Sequence, residues 1–85
     1  MTADSDIIHQ QTEHRFVIAL EQHKAILAYE INDDRIDFTS TFVPPALRGK
    51  GLAERLVRHG LSWAKAQKLE IHASCWYVQK FLTAD

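Results

Sequence analysis

Hydrophobic and polar positions along the chain change period once, near residue 51, and that change divides the sequence into a strand half and a helix half. "RFVIAL" (15–20) is a run of β-formers. In "AILAYEI" (25–31), Ala25, Leu27, Tyr29 and Ile31 recur at period two, the mark of a half-buried strand. "IDFTSTFV" (36–43) alternates again, which puts Ile36, Phe38, Ser40 and Phe42 on one face. "EQHK" (21–24) and "NDDR" (32–35) separate these runs as turns, so the three strands read as an antiparallel meander. Pro44 and Pro45 end the third strand, because neither can donate to a sheet ladder.

From Gly51 the spacing becomes helical: Leu52, Leu56, Val57, Gly60, Leu61 and Ala64 form one stripe, with Glu54 and Arg58 paired on the other side. "LEIHASC" (69–75) alternates as a further strand, and "WYVQKFL" (76–82) closes the chain as a short helix. The order is β-β-β-α-β-α. Its strand–helix–strand part implies a crossover between parallel strands. The expected fold is therefore α+β, a mixed and mostly antiparallel sheet covered by helices. Residues 1–12 lack periodicity and read as a flexible tail. Residues 13–85 read as one domain.

Composition narrows the class. Among 85 residues, 46% are hydrophobic and 25% charged, as in globular domains. The apolar runs are too short to span a bilayer, and no secretory leader is expected. The single cysteine, Cys75, excludes an internal disulfide and fits a reducing, cytoplasmic setting. Five scattered histidines show no metal-ligand spacing, so no metal site is expected.

The formal charge of −1 is uneven. Between Arg48 and Lys68 six basic residues face one acid, Glu54, while the remainder carries four basic and ten acidic residues. A local excess of this size points to an anionic ligand near the central helix. No nucleic-acid-binding motif accompanies it.

The chemistry concentrates in "VPPALRGKGLAERL" (43–56), where Gly49 and Gly51, with Arg48 and Lys50 beside them, stand at the mouth of a helix. The amides there have no intrahelical partners and the helix dipole favours negative charge. Glycines let a phosphate approach the backbone, so the stretch is built like a phosphate cradle. It is neither a P-loop nor the dinucleotide fingerprint, since both spacings are absent.

With a strand before it, "RGKGLA" (48–53) resembles the pyrophosphate-binding loop of the GNAT-type N-acetyltransferases, whose Gln/Arg-x-x-Gly-x-Gly/Ala pattern is met by Arg48, Gly51 and Ala53. "TFVPPALRGKGLA" together with "CWYVQKFL" (75–82) resembles the small single-domain GNAT-like subfamily, over roughly residues 14–82. The resemblance implies a minimal GNAT fold and an acetyl-coenzyme A-dependent N-acetyltransferase acting on a small amine or a protein or peptide amine. The rival reading is a non-catalytic acyl-coenzyme A binding or sensing module.

By the same resemblance, Arg48, Gly49, Lys50, Gly51, Leu52 and Ala53 hold the pyrophosphate. The pantetheine arm lies along the main chain of Phe42 and Val43, in a gap between that strand and the one ending at Cys75. Cys75 then lines the acyl site or carries the acetyl group, and Tyr77 protonates the leaving thiolate. The sequence departs from the subfamily in having Ser40-Thr41 where members carry His-Thr, and in ending at Asp85 where members commonly continue.

Overall fold

The computed structural model describes residues 7–20 and 22–83. Its sheet has five strands in chain order: β1 (Ile7–Gln10), β2 (Arg15–Leu20), β3 (His23–Asn32), β4 (Arg35–Phe42) and β5 (Glu70–Ala73). The first four are mutually antiparallel, and β5 lies parallel to β4. Helix α1 (Leu52–Ala66) makes the crossover, and α2 (Trp76–Thr83) follows β5. The expected α+β class and mixed, mostly antiparallel sheet are present, with one strand more than the periodicity predicts.

That additional strand corrects the reading of residues 1–12 as a loose tail. Ile7–Gln10 pairs with β2, Ile7 opposite Ile18 and His9 opposite Phe16. Two adjacent isoleucines in a four-residue strand leave no alternation to detect. Ile7 packs on the core, whereas Ile8 is 54% exposed. The part of the expected tail before residue 7 lies outside the described residues. A 3₁₀ turn, Gln11–Glu13, and a left-handed His14 (φ 58°) connect β1 to β2.

One core lies between a single face of the sheet and the helices. Phe16, Ile18, Ala25, Leu27, Tyr29, Ile36 and Phe38 supply the sheet side; Leu52, Leu56, Val57, Ala64 and, from α2, Val78 supply the other. Gly60 is the close-approach point of α1. A Cβ there would come within 2.9 Å of Leu27 Cδ2 and 3.1 Å of Phe38 Cε1, both in the fully buried core. Gly60→Leu is expected to lower stability by about 2 kcal/mol through overpacking, despite its better helix propensity. Urea denaturation checks this; a variant as stable as the parent would mean that α1 packs less closely on the sheet.

The expected alternation of β4 breaks in the middle. Ala28 opposes Ser40 and the next residue, Tyr29, opposes Phe38, so Thr39 is an inserted bulge. Cross-strand partners share a face. Thr41, opposite the core residue Leu27, therefore lies on the α1 side, while Ser40 and Phe42 turn to the other face. This corrects the placement of Ile36, Phe38, Ser40 and Phe42 on one face. Among the described residues no helix is long and apolar enough to cross a membrane.

Candidate functional site

The bulge sits where β4 loses its neighbour. Pairing of β4 with β5 runs from Arg35–Glu70 to Phe38–Ala73 and stops. The Phe38 carbonyl then accepts from the amides of both Ser74 (3.0 Å) and Cys75 (3.1 Å), and the chain turns into α2. Beyond that rung, β4 continues to Phe42 with β3 on one side and, among the described residues, no strand on the other. A bulge adds twist and bends the strand that carries it. The two strands thus part beyond Phe38, and the gap between their ends is spanned by the Thr41 side chain and Cys75 at the start of α2.

The turn into α2 is tied to β4. The Asp37 carboxylate accepts from the Ser74 amide and the Ser74 hydroxyl, both at 2.8 Å. Gln79 Nε2 donates to the Ala73 carbonyl at 2.8 Å, and the Gln79 amide to the Cys75 carbonyl at 3.0 Å. Cys75 is consequently the cap of α2. The Thr41 hydroxyl lies 3.5 Å from its Sγ. Burial pushes the Cys75 thiol up, but hydrogen bonds from the Thr41 hydroxyl and from the Val78, Tyr77 and Thr41 backbone outweigh it, so the pKa falls below the usual 9.0. A thiolate there serves as an N-cap acceptor for helix amides.

On the other side of the gap, Pro45–Leu47 forms a 3₁₀ turn that anchors the fully buried Leu47. Arg48 is extended, and Gly49 (φ 85°) and Gly51 (φ 74°) are both left-handed. Gly51 caps α1, whose start has no side-chain cap. The amides of its first turn are therefore available to a ligand. A Cβ on Gly49 or Gly51 would meet nothing within 4 Å. Backbone conformation demands these glycines, and the space beside them is open. That combination fits an anion with bulk, such as a pyrophosphate, better than it fits a packed turn.

The cradle opens onto a cleft of about 230 Å³. Of the residues expected to bind the cofactor, Val43, Arg48, Gly49, Gly51, Leu52 and Ala53 line it; Phe42 and Lys50 do not. Phe42 is 53% exposed, turned away by the bulge. Arg48 folds back, its Nε donating to the Val43 carbonyl at 3.1 Å. Tyr77 also lines the cleft, so the structure brings it to the cradle from the far end of the chain, whereas Cys75 is not among the lining residues. Burial first, and then the Glu54 carboxylate, raise the Tyr77 pKa, which keeps the phenol protonated at neutral pH. Glu54 is the acid closest to the cradle, and Arg58 pairs with it at 2.7 Å across one helical turn. The pair offsets the charge that an incoming anion would otherwise meet.

Three features escape sequence reasoning here: Leu47 and Glu54 in the cleft, Thr41 against Cys75, and Asp37 holding Ser74. Glu54 lies in the first turn of α1, three residues after Gly51, and was within reach of the motif. The other contacts cross from β4 to residues more than thirty positions away and leave no local signal. The histidines also behave differently from their scatter: His9, His14 and His59 converge on Phe16, Tyr29 and Trp63. His72 pairs with Glu70 on the exposed face. No group of three or more potential ligands for a metal occurs among the described residues.

Residues 15–85 match the family described as GCN5-related N-acetyl-transferase. Proteins named NATD1 are similar over 77 residues, or 87% of this chain: that of Bos taurus is 36% identical and that of Homo sapiens 35%, each with 68% of its length covered. The Danio rerio protein is 34% identical, with 70% covered.

Proposed function

Since the chain belongs to the GCN5-related N-acetyltransferase family, we propose that it binds acetyl-coenzyme A at the mouth of α1 and transfers the acetyl group to an amine. The observation that carries this reading is the pair of left-handed glycines at an uncapped helix start, with open space where their side chains would be. The amides from Gly49 to Ala53 hold the pyrophosphate, and Arg48 and Lys50 add positive charge around it. The pantetheine arm runs from there along the free edge of β4, past Val43 and Phe42, into the gap beside β5.

Acetyl-coenzyme A supplies a thioester whose carbon–sulfur bond breaks when the amine nitrogen bonds to the carbonyl carbon. The chain's contribution is chiefly to hold thioester and amine together. Tyr77, kept protonated by its surroundings, gives its proton to the departing thiolate, the acylated nitrogen gives up one proton to solvent, and solvent reprotonates Tyr77. The amine must be neutral to attack. Deprotonating a lysine side chain at neutral pH costs about 4.6 kcal/mol, against about 1–1.4 kcal/mol for an α-amine. β4 presents Thr41 at the gap, which is no base at neutral pH, so α-amines and other weakly basic amines are the favoured acceptors. A cytoplasmic setting is part of this proposal, in keeping with a sequence whose one cysteine cannot form an internal disulfide.

A non-catalytic coenzyme A-binding module is the second reading, favoured by Ser40 where members of the resembled subfamily carry histidine. Calorimetric titration with coenzyme A, run beside acetyl transfer to a panel of peptide α-amines, small amines and lysine peptides, separates the two. Binding with transfer to α-amines is the expected result. Binding without turnover on any amine selects the module, and no binding rejects both.

A further inference from the structure

We propose that His9 is an acid-operated latch that fastens the edge strand β1 to the sheet. β1 is four residues long and, among the described residues, pairs only with β2. Beyond those rungs it is held by Ile7 against the core, by Gln10, whose side-chain oxygen accepts from Arg15 Nε, and by the His9 ring, which makes the most contacts. It stacks on Phe16 of β2, centroids 4.1 Å apart and planes at 17°, and meets Trp63 of α1 edge to face at 4.6 Å. Its Nε2 lies 2.5 Å from the Tyr29 hydroxyl of β3. One side chain thus joins β1 to three other elements, β2, β3 and α1.

The groups around the ring admit its neutral form. Tyr29, almost fully buried, stays protonated because burial raises its pKa, and its hydroxyl donates to the Nε2 lone pair. The other titratable groups in the assembly are His14, stacked on Tyr29 at 5.5 Å, and His59 of α1, edge-on to Phe16 at 5.5 Å. Phe16 and Trp63 carry no charge. None of these contacts is a carboxylate, so nothing among them would compensate an imidazolium. Protonation removes the lone pair that accepts from Tyr29 and sets a cation beside His59. Burial first and the His59 charge second lower the His9 pKa from 6.5.

The sign follows from linkage. With β1 docked, His9 binds its proton below 6.5; with β1 released, it binds near that value. The released state therefore holds more protons in the interval between the two, so the contribution of His9 to docking is full above pH 6.5 and is lost as pH falls from there through the lowered docked-state value. Release bares Phe16 and the hydrogen-bonding edge of β2, the kind of edge that accepts another strand.

Amide hydrogen exchange measured by NMR on the intact chain tests the latch. Between about pH 7.5 and about pH 5, the span in which histidine changes charge, protection factors of Ile8, His9 and Gln10 should fall at least about tenfold while those of β3 and β4 hold. In His9→Phe, which keeps an aromatic ring without a titrating nitrogen, the β1 protection should not respond to pH. A flat response in the unaltered protein overturns the proposal, as does an unchanged response in His9→Phe. Should that variant fail to fold, the ring titration of His9 in the unaltered protein decides: a midpoint below 6.5 supports the latch, and one at or above 6.5 overturns it.

Discussion

Gly51→Glu should leave a folded protein that binds coenzyme A at least about a hundredfold more weakly, a loss of about 2.8 kcal/mol in binding energy. A side chain at this position meets nothing of the protein within 4 Å, so the substitution creates no clash. The left-handed backbone, φ 74°, costs a residue with a Cβ about 1–2 kcal/mol. A carboxylate at the start of α1 returns about 0.3–1 kcal/mol through the helix dipole. Stability therefore changes little. Binding changes much, because the carboxylate enters the space that the pyrophosphate needs and repels it there. Gly51→Ala separates the two causes: it bears the same backbone strain without the charge and should weaken binding by far less. Calorimetry beside a melting curve reads both quantities. A folded Gly51→Glu protein with undiminished affinity would place the anion elsewhere and remove the main support for the proposed cradle.

The ease of reading this loop from the chain has a physical origin. Helix mouths, proline stops and left-handed glycines are set by residues within a few positions of one another, so residues 43–56 carry their own geometry in local order. The same holds for β2, β3 and α1, where long runs repeat one period and burial follows it; their observed bounds lie within about two residues of the expected ones. β1 is too short to show a period. The Thr39 bulge is harder still, since polar residues at 39–41 continue a plausible alternation and only the register against β3 reveals the extra residue. That one insertion decides which side chain faces the gap. It turns Thr41 inward and Ser40 outward, and no argument from alternation could have paired Thr41 with Cys75. Asp37 is similar: on the sheet's open face it reads as solvated polar surface, yet it holds the Ser74 turn that sets the direction of α2.

Because that turn sets Cys75 at the cap of α2, its thiol should be the reactive one in this protein and should be shielded by cofactor. Alkylation by iodoacetamide, followed by mass spectrometry, should show a rate that rises with pH with a midpoint below 9.0, as expected when the folded state favours the thiolate. Thr41→Val removes the hydroxyl that contributes to this stabilisation and should move the midpoint upward. Coenzyme A should slow alkylation at least about a hundredfold in the unaltered protein when it fills the gap, corresponding to near-complete occupancy. In Gly51→Glu the same concentration should give little protection, which ties the thiol to the cradle through one ligand. On the proposed function the Cys75 thiol would stand beside the acyl group rather than carry it, since direct attack by the amine needs no second nucleophile. Cys75→Ala should accordingly keep most of the transfer activity, and acetyl-coenzyme A alone should leave no acetyl mass on the peptide containing Cys75. An acetyl adduct that passes to an added amine would make Cys75 a covalent carrier, with the thioester exchanged onto Sγ and coenzyme A released before the amine reacts. Protection by coenzyme A that is absent in the unaltered protein would separate the thiol from the gap and move the acyl end of the proposed path away from α2.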